Sequence, residues 1–308
     1  MNILISIDSF KGSMTSMQAG NAAKKGILKA VPDAEAVVCP LADGGEGTTD
    51  ALIEGMSGEK IELEVTGPLG ETVSCYYGWL EESRTAVMEM ASAAGLTLVN
   101  EKKPMMATTY GVGEMILDAA KRGCEKVIIG IGGSATNDGG IGMLQAFGYQ
   151  FLDKNRKDVG KGVAALGKVE MKVNPLISKI KFQVACDVDN PLYGEKGATY
   201  IFGAQKGVTD EMKPLIDNDM KHFADKTKEK LGVSCEDIPG AGAAGGLGFA
   251  LLSYLNAELT PGAELVMQLT DMEDKIKNSD IVITGEGQLD SQTVMGKAPI
   301  GVAGLAKK

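Results

Sequence analysis

Apolar and polar positions along the chain change period more than once. The chain begins with a short, nearly unbroken apolar run, Asn2–Ile7, and turns polar at Asp8-Ser-Phe-Lys-Gly-Ser-Met14. Helical spacing predicts a helix from about Ser16 to Val31, which Pro32-Asp33 ends because proline cannot continue it. Glu35–Leu41 reads as a second strand, followed by Ala42-Asp-Gly-Gly-Glu-Gly47 and another helix. Strand–helix–strand alternation of this kind predicts parallel pairing.

The period then drops to two. Lys60–Thr66, Glu71–Leu80 and Arg84–Met90 alternate apolar with polar residues, and Gly67-Pro-Leu-Gly70 punctuates the first two, so an antiparallel meander is expected. Further on, Tyr110–Arg122 reads as a helix stopped by Gly123. Lys126–Ile131 and Phe182–Cys186 read as strands, Gly246–Leu255 as a strongly apolar helix and Asp280–Thr284 as a late strand. Pro299–Lys308 reads as a helix with no strand after it, so a doubly wound unit stopping there looks incomplete. The expected fold is α/β with two domains. Residues 1–66 with 280–308 would form a doubly wound parallel unit of flavodoxin or Rossmann type, and 67–279 a mixed-sheet unit with the meander and glycine-rich loops. A chain of 308 residues exceeds one average domain.

Charge narrows the partners. Lys plus Arg is 31 against 41 Asp plus Glu, a formal charge of -10, which does not favour nucleic acid or an anionic membrane. No apolar run approaches the ~20 residues needed to span a bilayer. Met1 leads directly into a strand without a secretion signal, so a cytoplasmic protein is expected. The five cysteines, Cys39, Cys75, Cys124, Cys186 and Cys235, are odd in number and form no Cys-x-x-Cys pair, which suits reduced thiols. The single histidine, His222, lies in a polar stretch that reads as a solvated helix, which argues against a Ser-His-Asp triad or a histidine-based zinc site.

Five segments share one design, an apolar element joined to a loop of Gly, Asp, Glu, Ser and Asn. Glycine lets backbone N–H groups approach an anion, and carboxylates suit a magnesium ion. Phosphoryl transfer needs both, together with a group that orients the attacking hydroxyl. In Asp8-Ser9-Phe-Lys11-Gly-Ser13, Lys11 sits just past a strand end and is assigned to an anion, a phosphate or a substrate carboxylate, against a plain surface lysine. In Asp43-Gly-Gly-Glu46-Gly47 the two acids suit a metal or a sugar hydroxyl, or else a capped tight turn. Gly130-Ile-Gly132-Gly133-Ser134-Ala-Thr-Asn137-Asp138-Gly-Gly140 follows a clear strand and is the strongest local signal. Ala185-Cys-Asp187-Val-Asp189-Asn-Pro191 offers Asp189, or else Asp187, as general base or magnesium ligand, or else an Asx turn. Thr284-Gly-Glu286-Gly-Gln-Leu-Asp290 again places acids just past a strand.

Two patterns fall short. Gly162-x4-Gly167-Lys168 is followed by Val169, so the Walker hydroxyl is missing. Gly240-Ala-Gly242-Ala-Ala-Gly245 fits a dinucleotide pattern but follows Glu236-Asp237 and Pro239 rather than a strand; an anion site at a helix start is preferred there, with tight helix packing an equal alternative.

Together, Asp8-Ser-Phe-Lys, Ala42-Asp-Gly-Gly-Glu-Gly-Thr48, Gly132–Gly140, Ala185–Pro191, Pro239–Gly248 and Ile283–Asp290 resemble the bacterial glycerate kinase family, in order and from end to end of the chain. The resemblance implies a two-domain α/β enzyme with its active site in the cleft between domains. It implies ATP and Mg²⁺ as cofactors and phosphorylation of D-glycerate, usually on the 2-hydroxyl, with a homodimer allowed. Under it, Lys11 and the Ser134–Asn137 loop hold anionic groups, and Asp189 or Asp187 binds metal or orients the hydroxyl. Glu286 and Asp290 support metal or substrate, with Asp189 and Asp290 the expected metal ligands. Asp8, Ser9, Asp43, Glu46, Gly132, Gly133, Asp138, Gly242 and Gly245 complete the expected binding set. Family members continue past the equivalent of Lys308, so an unpaired sheet edge beside Asn2–Ile7 is expected. A product phosphorylated on the 3-hydroxyl, another small hydroxy acid, an NAD-dependent oxidoreductase and a non-catalytic binding protein are the alternatives.

Overall fold

The computed structural model describes residues 1–308 except 11, 46, 153–154, 156, 158–159, 163–176, 289–297 and 308. Lys11, Glu46, Asp290 and the Walker-like Gly167-Lys168 therefore lie outside the described residues.

Two sheets organise the chain. The smaller is parallel, with β1 (Asn2–Ile7) between β2 (Glu35–Val38) and β9 (Ile281–Gly285). Its central strand is buried on both faces, as a parallel strand between helices must be. Ile3 and Ile5 pack under α1 (Ser16–Ala30), while Leu4 packs with α9 (Gly262–Leu269), α10 (Met272–Lys277) and α11 (Ala298–Ala306) on the other side. The helix α1 starts on a capping box, Thr15 Oγ1 accepting from the Gln18 amide and Gln18 Oε1 from the Thr15 amide. The strand β9 returns across the chain to pair with β1, so the open edge of the sheet lies one strand further out than Asn2–Ile7. The outer strands are β2 and β9, where Val37 and Ile281 stand 50% and 44% exposed.

The larger sheet has six strands in sequence order, β3 (Glu59–Thr66), β4 (Thr72–Leu80), β5 (Thr85–Glu89), β6 (Lys126–Gly130), β7 (Lys181–Ala185) and β8 (Glu258–Thr260). The first three strands are antiparallel and the rest parallel, so the sheet is mixed. The meander over 60–90 is present. One boundary differs: residues 59–66 pair along their whole length with β4 and so belong to the larger sheet. Gly67-Pro-Leu-Gly70 closes a hairpin, the Gly67 amide donating to the Glu71 carbonyl at 2.6 Å, rather than linking domains. At the other end of that expected unit, α9 and α10 pack their apolar sides against the smaller sheet.

In β6, Val127 and Ile129 face a cluster with α4 (Tyr110–Lys121), α5 (Ile141–Ala146), α7 (Lys213–Leu231) and α8 (Ala243–Leu255). Ile128 faces the opposite way, toward α2 (Thr48–Gly55) and α9. Two short helices, α3 (Ala91–Ala94) and α6 (Ala198–Phe202), flank the loops at the carboxyl end of this sheet. His222 is exposed on α7, as expected. Among the described residues no helix is long and apolar enough to cross a membrane.

Candidate functional site

In open α/β sheets ligands bind beyond the carboxyl ends of the strands, and here the loops after β2, β6 and β7 converge. Asp43, Gly44 and Gly45 follow β2, Ile131–Ser134 follow β6, and Cys186, Asp187 and Val188 follow β7. With Phe202, Gln205, Lys206, Ala243 and Ala244 they line a cavity of about 220 Å³.

Contacts that only glycine permits draw the loops together. A Cβ on Gly130 would come within 2.4 Å of the Gly44 carbonyl oxygen, and one on Gly262 within 1.9 Å of the Asp43 carbonyl oxygen. The loop after β2 is thus wedged between the large sheet and the start of α9. Glu89, at the end of β5, anchors its far side by accepting from the Thr49 amide at 2.9 Å. Burial raises the Glu89 carboxyl above its ordinary range.

The strand β7 ends at Ala185, so Asp187 and Asp189 lie in irregular backbone. Asp187 lines the cavity, and its Oδ1 accepts from the Gly262 amide at 2.9 Å at the start of α9. Desolvation raises its pKa, and the Asp43 charge across the cavity adds to the shift. Asp189 does not line the cavity and stands just before the turn at Asn190, whose Nδ2 donates to the Lys196 carbonyl at 2.8 Å.

The Gly132–Asp138 loop divides into two parts. Gly132, Gly133 and Ser134 face the cavity, with Gly133 at φ 71°. Asn137 and Asp138 are fully buried and point elsewhere. Asn137 Nδ2 donates to Thr199 Oγ1 at 3.1 Å. Asp138 ties the fold together: it accepts from the Thr109 amide and hydroxyl and from the Gly140 and Gly142 amides, at 2.8–3.1 Å. Gly242 and Gly245 likewise serve packing. A Cβ on Gly242 would meet the Pro191 carbonyl oxygen at 2.2 Å, and one on Gly245 the Thr136 carbonyl oxygen at 2.2 Å. Their neighbours Ala243 and Ala244 face the cavity instead, and Ala244 carries a positive φ of 52°. Such strain at a non-glycine residue persists only where the surroundings fix it.

Asp8, Ser9 and Glu286 gather at the carboxyl end of the smaller sheet. The Asp8 amide donates to the Gly285 carbonyl at 2.8 Å, and Asp8 Oδ1 accepts from the Ser9 amide at 2.6 Å. Ser9 lines a separate groove with Gly12, Ser13, Gly47 and Asp50. The Asp43–Gly47 loop separates this groove from the cavity, since Gly45 lines one and Gly47 the other. The expectation missed Lys206 and Glu89. Lys206 stands between glycines in Gly203-Ala-Gln-Lys-Gly207, and Glu89 ends a strand beside the Gly130 loop; each placement is a signal legible in hindsight.

The profile of the glycerate kinase family matches residues 3–308. A glycerate kinase of Halalkalibacterium halodurans is 49% identical over 312 residues, covering 99% of this chain and 82% of that protein. The glycerate 2-kinase of Escherichia coli (strain K12) is 46% identical over 314 residues, covering 100% of this chain and 82% of that protein. A Salmonella typhimurium LT2 crystal structure assigned to glycerate kinase 2 superposes with a TM-score of 0.96 at 43% identity, over 100% of this chain and 84% of that one. On the match along its length, its two sheets and the cavity between their loops, this chain belongs to the glycerate kinase family.

Proposed function

We propose that the protein transfers the γ-phosphoryl group of ATP to the 2-hydroxyl of D-glycerate, giving 2-phosphoglycerate and ADP. The observation that carries this reading is the cavity itself. A glycine loop after β6, two facing aspartates after β2 and β7, and a buried lysine meet at the carboxyl ends of parallel strands. The family supplies the reaction class, and the name of the Escherichia coli relative supplies the acceptor position. At about 220 Å³ the cavity has room for a small acid and the reacting phosphate, so the adenine would lie outside it.

Asp187 is the base in this reading. Its Oδ1 is fixed by the Gly262 amide, and its second oxygen has no hydrogen-bond partner among the described residues. Its raised pKa brings it closer to the range in which a carboxylate accepts a proton effectively near neutrality. The glycerate 2-oxygen attacks the γ-phosphorus as its proton passes to Asp187. The bond from that phosphorus to the β,γ-bridging oxygen breaks, and its electron pair leaves on ADP. The Gly132–Ser134 loop holds phosphate oxygens.

The donor set fits a magnesium ion. Among the described residues no group of three or more His, Cys, Asp or Glu side chains could hold a metal, and Mg²⁺ asks for only one or two carboxylates with phosphate oxygens and water. Asp43, together with the phosphates, would hold it, and Asp290 stays a second candidate outside the described residues. Bound there, Mg²⁺ would offset charge on the phosphates. Asp8, Ser9 and Glu286, across the Asp43–Gly47 loop, would serve the remainder of the nucleotide. The acidic chain of 41 carboxylates against 31 basic residues suits a cytoplasmic enzyme of small molecules, without nucleic-acid or membrane partners.

A coupled assay of ADP release with ATP, Mg²⁺ and D-glycerate tests the reading, with phosphorus NMR to locate the new phosphate. Glycerate-dependent ADP and a 2-phosphoglycerate signal are expected. A 3-phosphoglycerate signal would overturn the acceptor position, and ADP release indifferent to glycerate would overturn the substrate.

A further inference from the structure

Among the described residues Lys206 is the one buried lysine or arginine, only 2% exposed. Taking an ammonium group out of water is costly unless it is paired. Yet no described carboxylate comes within ion-pair distance, and among the described residues Nζ donates one hydrogen bond, to the Thr136 carbonyl oxygen at 2.6 Å. An ammonium group has three donors, so this bond leaves two.

The backbone holds Lys206 in this place. It ends a single 3-10 turn, Ala204–Lys206, that follows α6, with its amide donating to the Gly203 carbonyl at 2.9 Å. Gly207 closes the turn at φ 93°, where a Cβ would also press on Lys102 at 2.8 Å. The side chain lines the cavity shared with Gly132, Gly133, Ser134 and Asp187. The loop it grips is itself polar and underused, since Thr136 Oγ1 and Asn137 Oδ1 are buried without hydrogen-bond partners.

We propose that Lys206 is a catalytic residue whose ammonium contacts a phosphoryl oxygen of the bound nucleotide, while its bond to Thr136 keeps the Gly132–Ser134 loop in place. The proposal rests on the reading that this cavity takes the phosphoryl group being transferred. It explains why a desolvated cation is kept facing two aspartates: the anion that completes it arrives with the ligand. Burial lowers the Lys206 pKa to about 7, with the Asp138 charge opposing the shift, so an arriving phosphate would restore full charge.

The test uses K206M, which keeps length and removes charge, and K206A, which leaves a slot for an added amine. Calorimetry with inorganic tripolyphosphate reads anion binding whether or not glycerate is the acceptor. Wild type is expected to bind it, and K206M at least about tenfold more weakly. In the kinase assay K206M should lose kcat by about 10²-fold or more, with the glycerate KM little changed. Ethylammonium should restore part of kcat to K206A, which a merely structural lysine would not show. Equal tripolyphosphate affinity in wild type and a folded K206M would overturn the proposal, as would a loss confined to the glycerate KM. If K206M does not fold, K206A without amine rescue overturns it. A wild type that binds tripolyphosphate but does not consume glycerate would sink the proposed substrate and leave Lys206 judged by binding alone.

Discussion

Gly262 places the Asp43–Gly45 loop by having no side chain, and Gly262→Ala tests this directly. A Cβ there would lie 1.9 Å from the Asp43 carbonyl oxygen, 2.5 Å from its carbon and 2.7 Å from Gly44 Cα. All three are backbone atoms, so no rotamer change relieves the clash. Restoring ordinary contact requires the loop and α9 to separate by roughly 1.5 Å. That movement carries Asp43 away from the cavity and pulls at the Gly262 amide that fixes Asp187. A displacement of this size should lower kcat/KM by about 100-fold, or about 2.7 kcal/mol of transition-state stabilisation. Overpacking should also cost about 1–3 kcal/mol of stability. The assay is steady-state kinetics on the variant beside a thermal melt. Wild-type kcat/KM together with an unchanged melting temperature would refute the reasoning, because the close approach would then position nothing.

Three other outcomes follow from the same geometry. In the coupled assay Asp187→Asn should reduce kcat by at least about 10²-fold and Asp189→Asn by no more than about threefold, and the reverse order would move the base back to Asp189. Gly26, inside α1, has nothing within 4 Å of an added Cβ, so Gly26→Ala should raise stability in denaturant titration by about 0.5–1 kcal/mol without changing activity; a loss would contradict the open space. Lys206 is lowered from 10.5 to about 7, so between those values the unfolded chain holds a proton that the native state lacks. Ligand-free stability should therefore rise with pH above about 7 relative to K206M, by at most about 1.4 kcal/mol per pH unit; parallel profiles would show that Lys206 is not desolvated as described.

Much of the site was legible as loops but not as contacts. The glycine-and-acid segments after β2, β6 and β7 announce themselves because each follows an apolar run, and the structure brings all three to one cavity. Which side chain faces the cavity is a different matter. Asp138 and Asp187 look alike in sequence, yet the first is consumed by four hydrogen bonds inside the fold and the second opens to the cavity. Gly242 and Gly245 read equally as an anion site or as tight helix packing, and the close approach of the start of α8 to the Pro191 and Thr136 backbones shows the packing. The glycines on either side of Lys206 mark a turn but not a buried cation; its burial depends on where α6 and the loop after β6 come to rest.

The sequence by itself determined the local elements and their kind. Unbroken apolar runs such as Lys126–Gly130 require burial on both faces, while the alternation of Glu59–Thr66 requires one wet face, and both hold in the structure. Only the tertiary structure decided which sheet each strand joins. Residues 59–66 pair with β4 because the hairpin at 67–70 is too short to lead elsewhere, and β9 follows 273 intervening residues of chain to lie beside β1. Register and long-range pairing depend on the sum of many contacts, and no single segment encodes that sum. The charge state and orientation of a buried group such as Lys206 or Asp138 depend in the same way on neighbours far away in sequence, because desolvation is a property of the assembled fold.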